Sequence, residues 1–427
     1  MLRFALAVAV AVAVTVSAHA ERVRVVVAVD APAYSIASVQ MLRADVIESL
    51  ETAGRVEPWG EGRAFAVELD RTELERLRRD PRVRAVEIDN GGGGALLESV
   101  PLVGANVAHA QHLDGAGVTV AVLDTGIDAT NPDFAGRITG EQCFCDNLDG
   151  TGCCPGTERF RSGSGAAYDD NGHGTHVSGI IAGGGASAPE GVAPRARILA
   201  VKVMDAANSF RSFTQIYRAL DWIATSRPEV RVINMSLGSH ALYSTLDCGN
   251  GAIALGMRDV VHRLRERGVL ITASTGNQGS MEGVTLPACM GDVLGVGATY
   301  DAAGDHRAMC TAVAATPDQV ACFTNSTDAM DLLAPGSSIA ASRRGGGSVV
   351  YSGTSMAAPH VAGAIALMQA ASGHTLTATE TETLLKATGQ RVVDLRNGLV
   401  FPRLDVAAAL AATPKAPPVP RRRSVGK

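Results

Sequence analysis

Five short apolar runs, with segments of helical spacing between several of them, set what this chain can fold into. Val118-Thr119-Val120-Ala121-Val122-Leu123 is a near-continuous apolar run, and similar ones recur at Ile198 to Val203, Val230 to Ile233, Val269 to Ala273 and Val293 to Val296. A strand that lacks polar alternation is one covered on both faces, as in a parallel sheet. Phe213 to Thr225 and Ala252 to Arg267 carry helical spacing between such runs. The alternation predicts an α/β fold, a doubly wound parallel sheet with helices on both faces. Functional groups in such a sheet collect beyond the carboxyl ends of the strands.

The chain has 427 residues, which predicts two domains or one large domain with processing segments. A formal net charge of −5 argues against a nucleic-acid partner, which would call for a basic surplus. Arg3, the apolar run Phe4 to Val16 and the Ala18-His19-Ala20 ending read as a signal peptide over residues 1–20, hence export. The run is shorter than the roughly 17–25 residues of a spanning helix, so no membrane anchor is expected. Export makes the eight cysteines disulfide formers. Cys310–Cys322, Cys248–Cys289 and two bridges among Cys143, Cys145, Cys153 and Cys154 are expected; the pairing within that group is not readable, and a zinc site is its rival.

Residues 21–90 carry a pattern of their own. Strand-like runs at Val23 to Val29, Arg55 to Trp59, Arg63 to Leu69 and Val83 to Ile88 alternate with helical spacing at Val39 to Leu50 and a short charged helix capped by Thr72. The order β-α-β-β-α-β is that of a small ferredoxin-like α+β unit. Gly91 to Gly94 open a glycine-rich, protease-accessible linker over residues 91–98. The α/β domain takes residues 99–412, and residues 413–427 form a Pro- and Arg-rich tail.

Four short stretches carry chemistry. Asp124 ends the first apolar run in Leu123-Asp124-Thr125-Gly126, and only one such Asp-Thr-Gly element is present, where an aspartic protease needs two. His173 stands between glycines in Asn171-Gly172-His173-Gly174-Thr175-His176; the helical HExxH zinc pair is absent. Asn277 follows a strand in Ser274-Thr275-Gly276-Asn277, where its amide can donate to an oxyanion. Ser355, in Gly353-Thr354-Ser355-Met356-Ala357, opens an apolar helical run through Met368, a position that favours developing negative charge. The order Asp, His, Ser, with the amide between His and Ser, differs from the Ser, Asp, His order of α/β-hydrolases, and the G-x-S-x-G elbow of those esterases is missing.

As a set these motifs resemble the subtilisin-like (subtilase) serine peptidases over roughly Val100 to Leu410, and the preceding unit resembles that family's inhibitory propeptide. The resemblance implies a secreted serine endopeptidase, extracellular or periplasmic, made as a self-processing zymogen. It implies Asp124 as orienting acid, His173 as base, Ser355 as nucleophile and Asn277 as oxyanion donor. Ser236, Leu237 and Gly238, in Asn234-Met235-Ser236-Leu237-Gly238, would line one side of the substrate pocket, and Ala273, Ser274 and Thr275 the other. A relative that has kept the fold as a binding protein would have lost one of the four groups, and all are present. Protein or peptide substrates and the chain's own propeptide are the expected partners, and the product is expected to be a monomer. No cofactor is required for the chemistry. Structural calcium is the open point: Asp133 matches a family ligand, but the stretch 182–192 lacks the Asn-rich loop, and Asp146 and Asp149 supply loop oxygens.

Overall fold

The computed structural model describes residues 23–30, 36–50, 56–58, 64–88, 96–147, 149–306, 309 and 313–415. The signal-peptide reading, most of the tail and Cys310 lie outside them. The chain divides into two compact units, Met1–Gly93 and Gly94–Lys427.

In the first unit, strands Val23–Val29, Val56–Pro58, Ala64–Leu69 and Val83–Ile88 alternate with helices Ile36–Glu48 and Arg71–Leu77 in the β-α-β-β-α-β order. Ala64–Leu69 lies between Val23–Val29 and Val56–Pro58, and Val83–Ile88 takes the other side of Val23–Val29, all antiparallel. This is the split βαβ arrangement. Val25, Val27, Phe65, Val67 and Leu74 form its core. The cap of the short helix is Asp70, not Thr72: its carboxylate accepts the Glu73 N–H at 2.9 Å. An Asp in extended geometry just ahead of the helix satisfies a first-turn donor that a residue already inside the helix cannot reach.

The second unit is built on a ten-stranded sheet. Its inner eight strands are parallel and, from one side to the other, are Val400–Arg403, Leu332–Pro335, Leu294–Thr299, Leu270–Ser274, Val230–Met235, Thr119–Asp124, Arg197–Lys202 and Ile138–Phe144. Gln390–Val393 and Phe160–Ser162 pair antiparallel at the two edges. Successive strand residues face opposite sides: Val120 and Val122 enter the core beneath helices His173–Ala182 and Thr354–Ala371, whereas Ala121 and Leu123 pack toward Phe213–Ser226 and Ala252–Glu266. That double burial is why the strands read as unbroken apolar runs.

The helix Leu96–Leu102 begins inside the stretch read as linker. Cys143 pairs with Cys154 and Cys145 with Cys153, a nested arrangement that replaces the zinc alternative, and Cys248 pairs with Cys289 as expected. Cys322 is disulfide-bonded too. No helix among the described residues is long and apolar enough to cross a membrane.

Candidate active site

Strand Thr119–Asp124 lies at the point where the strand order reverses, between Arg197–Lys202 on one side and Val230–Met235 on the other. The crevice beyond the carboxyl ends of such strands is where α/β sheets bind ligands. Asp124 ends one of these strands, Ser236 follows a second, and Asn277 stands three residues beyond a third.

Asp124 is fully buried and its Oδ1 accepts the Thr125 N–H at 2.8 Å. The same oxygen lies 2.7 Å from His173 Nδ1. An ionised carboxylate only accepts, so Nδ1 carries the proton and Nε2 presents a lone pair. His173 opens the helix His173–Ala182, and Gly174 explains how it can lie so close: a Cβ at that position would sit 2.2 Å from the Gly126 carbonyl oxygen. Burial disfavours the imidazolium, but the charge and hydrogen bond of Asp124 outweigh it, with Asp169 adding to them, and the His173 pKa is raised above 6.5. His176 has no such role. Its Nε2 faces the Ile339 and Val349 carbonyls at 3.0 and 3.1 Å, and burial drops its pKa to about 3.

Ser355 is half-buried in the first turn of helix Thr354–Ala371, where backbone N–H groups lack intrahelical partners. Its hydroxyl donates to the Ser236 carbonyl at 3.2 Å, and the Ser236 hydroxyl donates back to the Ser355 carbonyl at 2.7 Å. Asn277 is held by its oxygen: Oδ1 accepts the Thr354 N–H at 2.8 Å and the Thr354 hydroxyl at 2.9 Å. The amide nitrogen thereby has one orientation, and Gly353, with φ 150°, leaves the space beside it, since a Cβ there would come within 3.2 Å of Nδ2. Thr354 was not singled out from the sequence; a buried hydroxyl next to the serine was its only signal.

A cavity of about 430 Å³ opens beside these groups, lined by Ser236, Leu237, Gly238, Ser274, Asn277 and Ser355. Ala273 and Thr275 do not line it. Ala273 packs in the core on the Phe213–Ser226 side, and Thr275 is fully buried with its carbonyl taken by the Thr285 N–H and the Asn325 amide. The pleat alternates faces, so only the middle residue of the three turns to the cavity. Met204, Phe210, Phe213 and Thr285 add to the wall; Met204 and Phe210 lie between strand Arg197–Lys202 and helix Phe213–Ser226, which Phe213 opens, and that segment carries no motif.

Calcium does not fit Asp133. Its Oδ1 accepts the N–H groups of Ala186 and Ser187 at 2.8 and 2.7 Å, and Oδ2 accepts the hydroxyls of Ser187 and Ser342 at 3.0 and 2.7 Å. The carbonyls of Ala182, at the end of its helix, and of Pro194 point at the Arg137 guanidinium, which donates to both. A side-chain cation thus takes up these carbonyls. Asp149 is spent on the Thr151 N–H and hydroxyl at 2.9 and 2.7 Å, and Asp146 faces Arg159 at 3.4 Å. Among the described residues no three His, Cys, Asp or Glu side chains converge as a metal site. Arg137→Met should therefore cost about 1–3 kcal/mol, the penalty for stranding buried carbonyls, and EDTA should leave the wild-type thermal midpoint unchanged. A variant as stable as the wild type would remove the guanidinium from this role.

The model of the subtilase family matches residues 115–402. A thermostable alkaline protease of Halalkalibacterium halodurans is 34% identical over 307 residues, 71% of this chain and 71% of that protein. Subtilisin E of Bacillus subtilis is 33% identical over 313 residues, 71% of this chain and 70% of that protein. A solved structure of a cold-adapted subtilisin-like serine proteinase superposes with a TM-score of 0.51 at 30% identity, covering 68% of this chain and 89% of that one. An Asp–His pair at the strand reversal, a serine at a helix N-terminus and a family match over residues 115–402 agree: the chain belongs to the subtilase family, as a subtilisin-like serine endopeptidase.

Proposed function

We propose that the protein is an exported, self-processing endopeptidase that cuts peptide bonds through Asp124, His173 and Ser355. The observation that carries this is the 2.7 Å contact between Asp124 and His173 Nδ1, which leaves Nε2 as a base. Rotation of the Ser355 hydroxyl toward Nε2 starts the reaction. His173 takes the proton as the oxygen attacks the carbonyl, and the oxyanion is met by Asn277 Nδ2 and the Ser355 N–H. The imidazolium then protonates the leaving amine, and water hydrolyses the acyl-enzyme with His173 again as base. The unit at residues 21–90 acts as intramolecular inhibitor and folding assistant, cut off between Asn90 and Leu97. The mature enzyme works as a monomer outside the cytoplasm, and no residue of the mechanism needs a metal.

A serine-directed fluorophosphonate should label the wild type at Ser355, and labelling elsewhere would overturn the assignment. The pH dependence of kcat/KM gives a second check. His173 must be neutral to act, and its pKa is raised, so activity should fall as pH drops, with a midpoint above 6.5. Asp124→Asn should move that midpoint down, because the partner that favours the imidazolium is gone; an unmoved midpoint would detach Asp124 from His173.

A further inference from the structure

Asp169 is a fully buried carboxylate that the reaction itself does not use. Its Oδ1 accepts the Thr125 hydroxyl at 2.9 Å, the Asn171 N–H at 3.1 Å and the Gly172 N–H at 2.8 Å. Its Oδ2 accepts the Thr175 N–H at 2.9 Å and the Thr175 hydroxyl at 2.5 Å. These partners flank the two groups of the acid–base pair. Thr125 is the residue after Asp124 and donates its N–H to that carboxylate, while Gly172 and Thr175 bracket His173. The Thr125 hydroxyl, having given its proton to Asp169, accepts the Gly174 N–H at 2.9 Å, which closes a second link from the Asp124 strand to the His173 helix.

Keeping a charge out of water costs several kcal/mol unless it is fully hydrogen-bonded. Five donors meet that cost here, and all come from two segments, 125 and 171–175, that carry or adjoin Asp124 and His173. We propose that Asp169 is a positioning residue: it clamps the Asp124 strand to the start of the His173 helix and so fixes the separation at which the pair works. This rests on the assignment of Asp124 and His173 made above. Asp169 also places a second negative charge near the imidazole. The other charged and titratable groups packed around it are Asp124 on its strand, His176 on the same helix, Arg344, whose guanidinium donates to the Asp169 carbonyl, and the Asp170–Lys202 ion pair.

Asp169→Asn is isosteric, but it replaces one accepting oxygen by an N–H facing donors. Misplacement of a catalytic group by a fraction of an ångström to 1 Å costs on the order of tenfold to a hundredfold. In the purified enzyme, with rates normalised to fluorophosphonate-titrated sites, Asp169→Asn should lose that much kcat. KM should stay within about twofold of wild type, since the cavity is untouched. The acid limb of the pH profile should move to lower pH, because one anion that favours imidazolium has gone. A kcat within about twofold of wild type, even beside a lower thermal midpoint, would reduce Asp169 to a stabilising residue and overturn the proposal. If Asp169→Asn does not fold, Thr125→Val decides. It keeps the carboxylate and cuts both links of the Thr125 hydroxyl, to Asp169 and from the Gly174 N–H, so a selective loss of kcat supports the clamp and an unchanged kcat refutes it. His173→Ala, run alongside, separates the two levels. An active His173→Ala enzyme sinks the assignment of the pair itself, whereas an inactive one beside a fully active Asp169→Asn sinks only the clamp.

Discussion

Ser355→Ala should lower kcat toward a chromogenic peptide by about a millionfold, the size of loss known for this substitution in subtilisin, the relative in which it was measured. Acyl transfer has no substitute for the serine oxygen, whose hydroxyl now donates to the Ser236 carbonyl: the neighbouring Thr354 hydroxyl is buried and committed to Asn277 Oδ1. KM should change little, because the cavity walls from Ser236 to Gly238 remain. What survives should be the rate supplied by the oxyanion donors and by binding alone. If the chain cuts itself between Asn90 and Leu97 as proposed, the same variant should accumulate as an unprocessed chain when expressed by itself. Intact-mass measurement reads this directly. Efficient maturation would mean that another protease does the cutting, and retained hydrolysis would remove Ser355 from the reaction.

The parts legible in the sequence were those where backbone position dictates composition. Apolar runs announced the inner strands because both faces are covered, and Gly174 announced the histidine because the Gly126 carbonyl leaves no room for a side chain. Strands Ile138–Phe144 and Leu332–Pro335 escaped notice for physical reasons: one is half exposed and polar along its first residues, the other too short to show a period. The family resemblance implied Ala273, Ser274 and Thr275 together on the cavity wall, but alternation along the strand turns only Ser274 to it. The nested pairing of Cys143 with Cys154 and Cys145 with Cys153 depends on how residues 143–154 fold back on themselves, and spacing alone allows other pairings. Asp133 matched a family metal ligand although the Asn-rich loop was missing. Nothing local in the sequence says that four donors fill its carboxylate or that Arg137 reaches the Ala182 and Pro194 carbonyls. Thr354 shares that difficulty, since its partner Asn277 is 77 positions away; of the donors to the Asp169 carboxylate only Thr125 is distant, 44 positions away.

Asn277→Ala should reduce kcat by on the order of 10²–10³, the loss known for the oxyanion-hole asparagine of subtilisin. KM should hardly move. A donor aimed at the tetrahedral oxygen meets it only as charge develops, so its removal raises the barrier without weakening the ground state. The geometry adds a complication that the measurement can resolve. Asn277 Oδ1 also accepts two hydrogen bonds from Thr354, so the alanine strands a buried N–H and a buried hydroxyl next to the nucleophile as well as deleting a donor. Thr354→Val tests the second effect: it keeps the amide and the N–H that orients it, and removes the hydroxyl together with the bond that hydroxyl accepts from the Gly276 N–H at 3.1 Å. If donation to the oxyanion dominates, Thr354→Val should lose far less kcat than Asn277→Ala. Equal losses would mean that Asn277 serves to hold the start of the Ser355 helix, and an unchanged kcat in Asn277→Ala would take it out of the site altogether.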